Sequence, residues 1–167
     1  ALERLGVDDE AGLVERLTSG FYTEYKRQNN RQTRLFDGVE STLRRLHEAG
    51  VRVGICSNKP DELCRMLARN FHLERYVDEI LGSDDGRPKK PDPAPLLAVI
   101  QRLGVPPGDT LYVGDSETDV TTARAAGVRV MLVDHGYTLR PAGQLGSDGV
   151  LESITDLVKP GPFAQSA

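Results

Sequence analysis

The apolar positions of this chain follow two rhythms. Between Asp9 and Arg27, Leu13, Leu17, Phe21 and Tyr25 recur every four positions, which places them on one face of a helix. Val39, Leu43, Leu46 and Ala49 form a second helical stripe, closed by Gly50. The spacing then changes. Val51–Cys56 alternates apolar residues with others and predicts a strand. A helix is expected across Asp61–Asn70, a short strand around Glu79–Leu81, and a helix over Pro93–Leu103 ended by Gly104. Strands are expected at Thr110–Val113 and Val128–Val133, flanking a helix that ends at Gly127. A short Val150-Leu151 strand and a last helix near Ile154–Val158 complete the pattern, and the tail from Pro160 is expected to fray. Such alternation predicts an α/β fold, a parallel sheet with helices on both faces. The polar stretch Gln28–Gln32 reads as a connector between this region and the first helix.

In open α/β sheets, ligands bind outside the carboxyl ends of the strands. Three such ends carry chemistry here. Leu111-Tyr112-Val113-Gly114 delivers Asp115 to a strand end, with Asp119 four residues on. A hard cation such as Mg²⁺ takes oxygen ligands and needs only one or two carboxylates from the protein. Asp115 is equally readable as a cap for the following helix. Ser57-Asn58 follows the Val51–Cys56 run, where a hydroxyl and exposed N–H groups can cradle a phosphate or simply form a turn. Gly86-Arg87-Pro88-Lys89-Lys90-Pro91-Asp92-Pro93 is a basic, proline-stiffened loop. Asp92 reads as an N-cap with Pro93 at the first helical position. Lys90 stands before a proline and is restricted toward an extended backbone. Its ammonium could bridge a phosphoryl oxygen and an acidic group, whereas Lys89 reads as a solvated charge.

The order of these groups carries more than any one of them. Ser57, then Lys90, then Asp115 and Asp119, resemble the second, third and fourth motifs of the haloacid dehalogenase superfamily. The flanking text is similar to its phosphoglycolate phosphatase-like branch: Lys90-Pro91-Asp92-Pro93-Ala94-Pro95-Leu96-Leu97, Tyr112-Val113-Gly114-Asp115-Ser116, Ala125-Ala126-Gly127-Val128 and His135-Gly136-Tyr137. The resemblance runs from about Phe36 to Leu157. It implies a Rossmann-like core over residues 35–167, preceded at 1–34 by the remnant of a helical cap. Other phosphate-binding α/β patterns fit less well. Neither Gly-x-Gly-x-x-Gly nor Gly-x-x-x-x-Gly-Lys-Ser/Thr occurs. A two-component receiver places its acidic residues before the hydroxyl and the lysine, the reverse of this order. A dehalogenase proper needs no metal and would leave the Gly-Asp-x-x-x-Asp pattern without a job.

One departure stands out. The family's first motif is Asp-x-Asp-Gly-Thr at a strand end, whose first Asp is the nucleophile and whose second is the general acid/base. No Asp-x-Asp occurs in this chain, and Ala1-Leu2-Glu3-Arg4-Leu5-Gly6 looks like the middle of a cap. The sequence is therefore expected to be a truncated form or part of a longer polypeptide.

The resemblance implies phosphoryl transfer through an aspartyl-phosphate on an Asp outside this chain. Ser57 and the N–H groups near Asn58 would bind the phosphoryl group. Lys90 would stabilise the nucleophile and the transferring group. Asp115 would hold Mg²⁺, and Asp119 would stand behind it as a further metal residue or as support for Lys90 or a metal-bound water. The expected substrate is a small phosphorylated metabolite, 2-phosphoglycolate by default; a sugar-phosphate phosphatase or mutase and a catalytically silent binding or regulatory chain are the alternatives. A homodimer or strand exchange would be one response to the lost strand.

Composition removes other classes. A net charge of −4 argues against general nucleic-acid affinity, and with no Trp and 5% aromatic residues the chain lacks stacking platforms. No apolar run reaches membrane-spanning length and no signal peptide is visible, so a cytoplasmic location is expected. Cys56 and Cys64 are too few for a zinc site or disulfide framework and read as reduced, half-buried thiols.

Overall fold

The computed structural model describes residues 13–27, 33–135, 138 and 140–159. The expected helix start at 9–12, the connector 28–32, Gly136-Tyr137 and the tail from Pro160 lie outside the described residues. The chain divides into two units, Ala1–Arg34 and Leu35–Ala167.

In the first unit, helix α1 spans Leu13–Arg27. Its fourfold apolar spacing brings Phe21 against Tyr25, ring centroids 6.0 Å apart, while Phe21 and Leu17 remain exposed.

The second unit holds parallel strands joined by helices. Helix α2 is Val39–Glu48, strand β1 Gly54–Cys56, helix α3 Asp61–Asn70, strand β2 Glu79–Leu81 and helix α4 Ala94–Leu103. Strand β3 is Leu111–Gly114, helix α5 Glu117–Ala125, strand β4 Arg129–Val133 and strand β5 Gly149–Leu151. The pairing is β1–β2 in one sheet and β3–β4–β5 in another, all parallel. Parallel strands need long crossovers, and the helices between them supply these.

Helix α4 serves both sheets. Leu96 and Ile100 join a cluster with Val120 and Ala123 of α5 and Val130 and Leu132 of β4. Ala98 and Val99 pack with Leu81 of β2. Its C-terminus closes on Gly104, whose φ of 70° is the left-handed cap that glycine adopts without strain. At its other end Asp92 Oδ1 accepts from the Ala94 N–H at 2.8 Å, so the expected cap acts from one residue before the N-cap position, Pro93.

The observed elements differ from the expected ones in three places. Val51–Val53 is not strand, because the Asp78 side chain takes the Val53 N–H at 2.9 Å where a ladder partner would stand. Ile154–Val158 is a 3₁₀ turn capped by Ser153, not an α-helix, because Lys159 leaves it in extended backbone. The single sheet expected from the alternation is two sheets. The Val53 carbonyl accepts from Asp78 N–H, and the Ser57 N–H donates to the Leu81 carbonyl, so Val53, Ile55 and Ser57 bond toward β2. By the alternation of a parallel ladder, the N–H and C=O of Gly54 and Cys56 face the opposite way. Among the described residues β1 pairs only with β2, and β3 only with β4.

Candidate active site

The carboxyl ends of β1 and β3 lie close together. Cys56, the last residue of β1, packs against the same cluster as Tyr112 of β3. Burial pushes the Cys56 thiol up, the nearby Lys90 ammonium pulls the other way, and Asp119 adds to the rise. Loops that follow β1, β2 and β3 meet at Lys90.

The first loop carries Ser57 and Asn58. The Ser57 hydroxyl oxygen accepts from the Lys59 N–H at 3.1 Å in a local turn, and the hydroxyl also meets the Cys64 thiol. Asn58 is exposed and pairs its side-chain amide with the main chain of Lys90. Its Nδ2 donates to the Lys90 carbonyl at 2.9 Å, and its Oδ1 accepts from the Lys90 N–H at 2.8 Å. Beneath the loop, the Cys64 thiol donates to the Lys59 carbonyl at 3.6 Å, and both cysteines are free thiols.

The second loop delivers Lys90 itself. Its Nζ donates to Asp119 Oδ1 at 2.7 Å and to the Tyr112 hydroxyl at 2.9 Å. The Lys90 and Asp119 side chains are only 12% and 5% exposed, so this ion pair is buried. Lys89 is exposed.

The third loop holds Asp115 and Asp119. Ser116, not Asp115, is the N-cap of α5, with Asp119 returning to the cap N–H in a capping box. Asp115 is thus relieved of the capping role and sits half-buried just past β3. Asp119 folds back under the strand end. A Cβ at Gly114 would collide with Cβ and Cγ of Asp119 and come within 2.9 Å of its Oδ2, so glycine is required there by close approach. Both Asp119 oxygens are occupied. Oδ1 accepts from Lys90 Nζ and from the Tyr112 hydroxyl at 3.0 Å. Oδ2 accepts from the Asp115 and Ser116 N–H groups at 3.1 Å each and from the Ser116 hydroxyl at 2.7 Å. This geometry anchors Lys90.

Burial raises the Asp119 carboxyl, but the Lys90 and Ser116 hydrogen bonds, the ammonium charge and the Asp115 N–H outweigh it and hold the group at about 2. Its ordinary value is 3.8, so the folded state favours the charged form. The resulting stability is fully present above the unfolded value and is lost as pH falls from about 4 through about 2. Its size is about 2 kcal/mol. Denaturant midpoints of the chain and of Asp119→Asn are expected to differ most near neutral pH. The gap should narrow across that acid window; a pH-independent gap would refute this account.

Tyr112 is the residue that sequence reasoning missed. It reads as one more apolar position of a buried strand. Only its place two residues before Gly114, on the same strand face, hints that its hydroxyl shares the site. Burial and the adjacent Asp119 charge push its phenol far up, so it stays protonated and can donate.

No group of three or more His, Cys, Asp and Glu able to hold a metal occurs among the described residues. Mg²⁺ takes one or two protein carboxylates and keeps several waters, so the single carboxylate of Asp115 at the strand end fits a partial contribution to such a site. No helix among the described residues is long and apolar enough to cross a membrane.

The sequence profile of the haloacid dehalogenase-like hydrolases matches residues 2–133. A phosphoglycolate phosphatase of Rhodospirillum rubrum is 39% identical over 123 residues, covering 74% of this chain and 51% of the relative. One from Pseudomonas savastanoi pv. phaseolicola is 37% identical over 158 residues, covering 94% of this chain and 57% of the relative. The crystal structure of a predicted phosphoglycolate phosphatase from Haemophilus somnus superposes with a TM-score of 0.77 at 29% identity, over 83% of this chain and 61% of that one. The chain spans little more than half the length of these curated relatives.

Proposed function

Because this chain belongs to the haloacid dehalogenase-like hydrolases, we propose that it forms the lysine- and phosphate-binding part of a Mg²⁺-dependent phosphatase site for a small phosphorylated metabolite. The phosphoglycolate phosphatases among its relatives make 2-phosphoglycolate the substrate of first choice. The observation that carries the reading is the Lys90 ammonium, fixed between Tyr112 and Asp119 where the ends of β1 and β3 converge.

Each group then has a physical task. Ser57 and the N–H groups of its loop bind phosphoryl oxygens. Lys90 offers a preorganised positive charge to the transferring phosphoryl group, in a buried setting where such charge counts for more than in water. Asp119 holds that charge in place. Asp115 is the side-chain metal ligand that this chain supplies. Bound Mg²⁺ would neutralise phosphate charge and ease approach of an anionic nucleophile. The nucleophile is an aspartate outside these residues, since no Asp-x-Asp occurs among them.

Asp115→Asn, made in a polypeptide that carries the nucleophile, tests the proposal. It is expected to abolish Mg²⁺-stimulated release of phosphate from 2-phosphoglycolate. Phosphate release with unchanged rate and unchanged Mg²⁺ dependence would remove Asp115 from the site.

A further inference from the structure

Lys90 is held at both ends, its main chain by Asn58 and its ammonium by Tyr112 together with Asp119. Pro91 follows Lys90 and has no N–H, so the loop is one backbone donor short. The Asn58 amide supplies one donor and one acceptor to a single peptide unit and closes a ring with it. An amide engaged this way has its oxygen and one N–H committed to Lys90, which leaves it poorly placed to wrap a phosphate. At the other end the Tyr112 hydroxyl accepts from the ammonium and donates to the carboxylate oxygen that the ammonium also meets. A lysine has four rotatable bonds and loses about 2 kcal/mol of rotamer freedom when fixed. Here that loss is met in the folded state, before any ligand arrives. Of the three ammonium N–H bonds, Tyr112 and Asp119 take two, and the third remains for a phosphoryl oxygen.

We infer that Asn58 and Tyr112 are positioning residues that act on the reaction through Lys90 and not by touching the substrate. The inference rests on the phosphatase reading above. In a polypeptide carrying the nucleophile, Asn58→Ala and Tyr112→Phe are each expected to lower kcat about tenfold with KM unchanged, the scale of one lost hydrogen bond to a charged or catalytic group. In a Lys90→Ala background neither substitution should cost anything further. A rise in KM with kcat retained, or losses that multiply with that of Lys90→Ala, would overturn the inference.

A second measurement separates the inference from the function. In the same nucleophile-carrying polypeptide, the proton–nitrogen spectrum of the lysine ammonium groups should show a slowly exchanging Lys90 signal. Tyr112→Phe should shift or broaden it, Lys89→Ala should leave it in place, and Asn58→Ala should speed exchange of the Lys90 amide. These results without turnover in the complete polypeptide would sink the phosphatase reading and keep the clamp. A Lys90 signal and amide indifferent to both substitutions would sink the clamp.

Discussion

Lys90→Ala is expected to lower turnover of a phosphate monoester by roughly two to three orders of magnitude in a polypeptide that carries the nucleophile, whereas Lys89→Ala should be mild. The scale is that of removing one preorganised charge-stabilising donor, about 2.7–4 kcal/mol. The two lysines are neighbours in sequence and opposites in setting. Lys90 lies in a buried pair with Asp119 and also meets Tyr112, while Lys89 is exposed. The alanine variant also leaves Asp119 as a buried carboxylate without its cation, and breaking a buried pair in this way is often costly to stability, by about 3–5 kcal/mol. Melting curves must therefore accompany the kinetics. A folded Lys90→Ala protein with near-normal kcat, or a Lys89→Ala protein equally impaired, would overturn the assignment.

The second large effect concerns the chain as it stands. The 167 residues alone are expected to release no phosphate from 2-phosphoglycolate with Mg²⁺. They are also expected to melt in a low, broad transition or to associate. The physical reason is the open flank of β1. Gly54 and Cys56 direct their main-chain groups away from β2, and β3 has β4 as its single strand partner among the described residues. An open strand edge of this kind presents unpaired main-chain groups that another chain can pair with. Direct pairing of β1 with β3 would have closed the break, and the two strands do not pair. We propose that a strand ending in the nucleophilic aspartate seats between them, which would put its carboxylate beside Lys90 and Asp115. Size-exclusion chromatography, thermal melting and a phosphate-release assay on the purified chain test this together. A monomer with a sharp, high transition and robust Mg²⁺-dependent phosphate release would defeat it.

Much of this protein is local and therefore legible in the sequence. Periodicity places α2 to α5 and all five strands, because a half-buried helix or strand must repeat its apolar positions at its own period. Caps are equally local: Gly104 ends α4, and Asp92 meets the first N–H of that helix. The ordered appearance of Ser57, Lys90, Asp115 and Asp119 at strand ends follows from the same periodicity, since loops begin where strands stop. What the sequence could not assign is which partner each polar group takes. Asp119 and Asp115 are alike in sequence, yet Asp119 accepts from five chain donors while Asp115 lies just past the strand end. Tyr112 reads as an apolar strand residue until the fold brings Lys90 across 22 positions to its hydroxyl. The pairing of the Asn58 amide with the lysine loop, 32 positions away, is likewise set by the fold. The break between β1 and β3 falls where the family resemblance places the strand of the first motif, although local periodicity does not show it. Strand pairing and side-chain partnership depend on which distant segments share a neighbourhood, and only the packing of α4 across both sheets sets that.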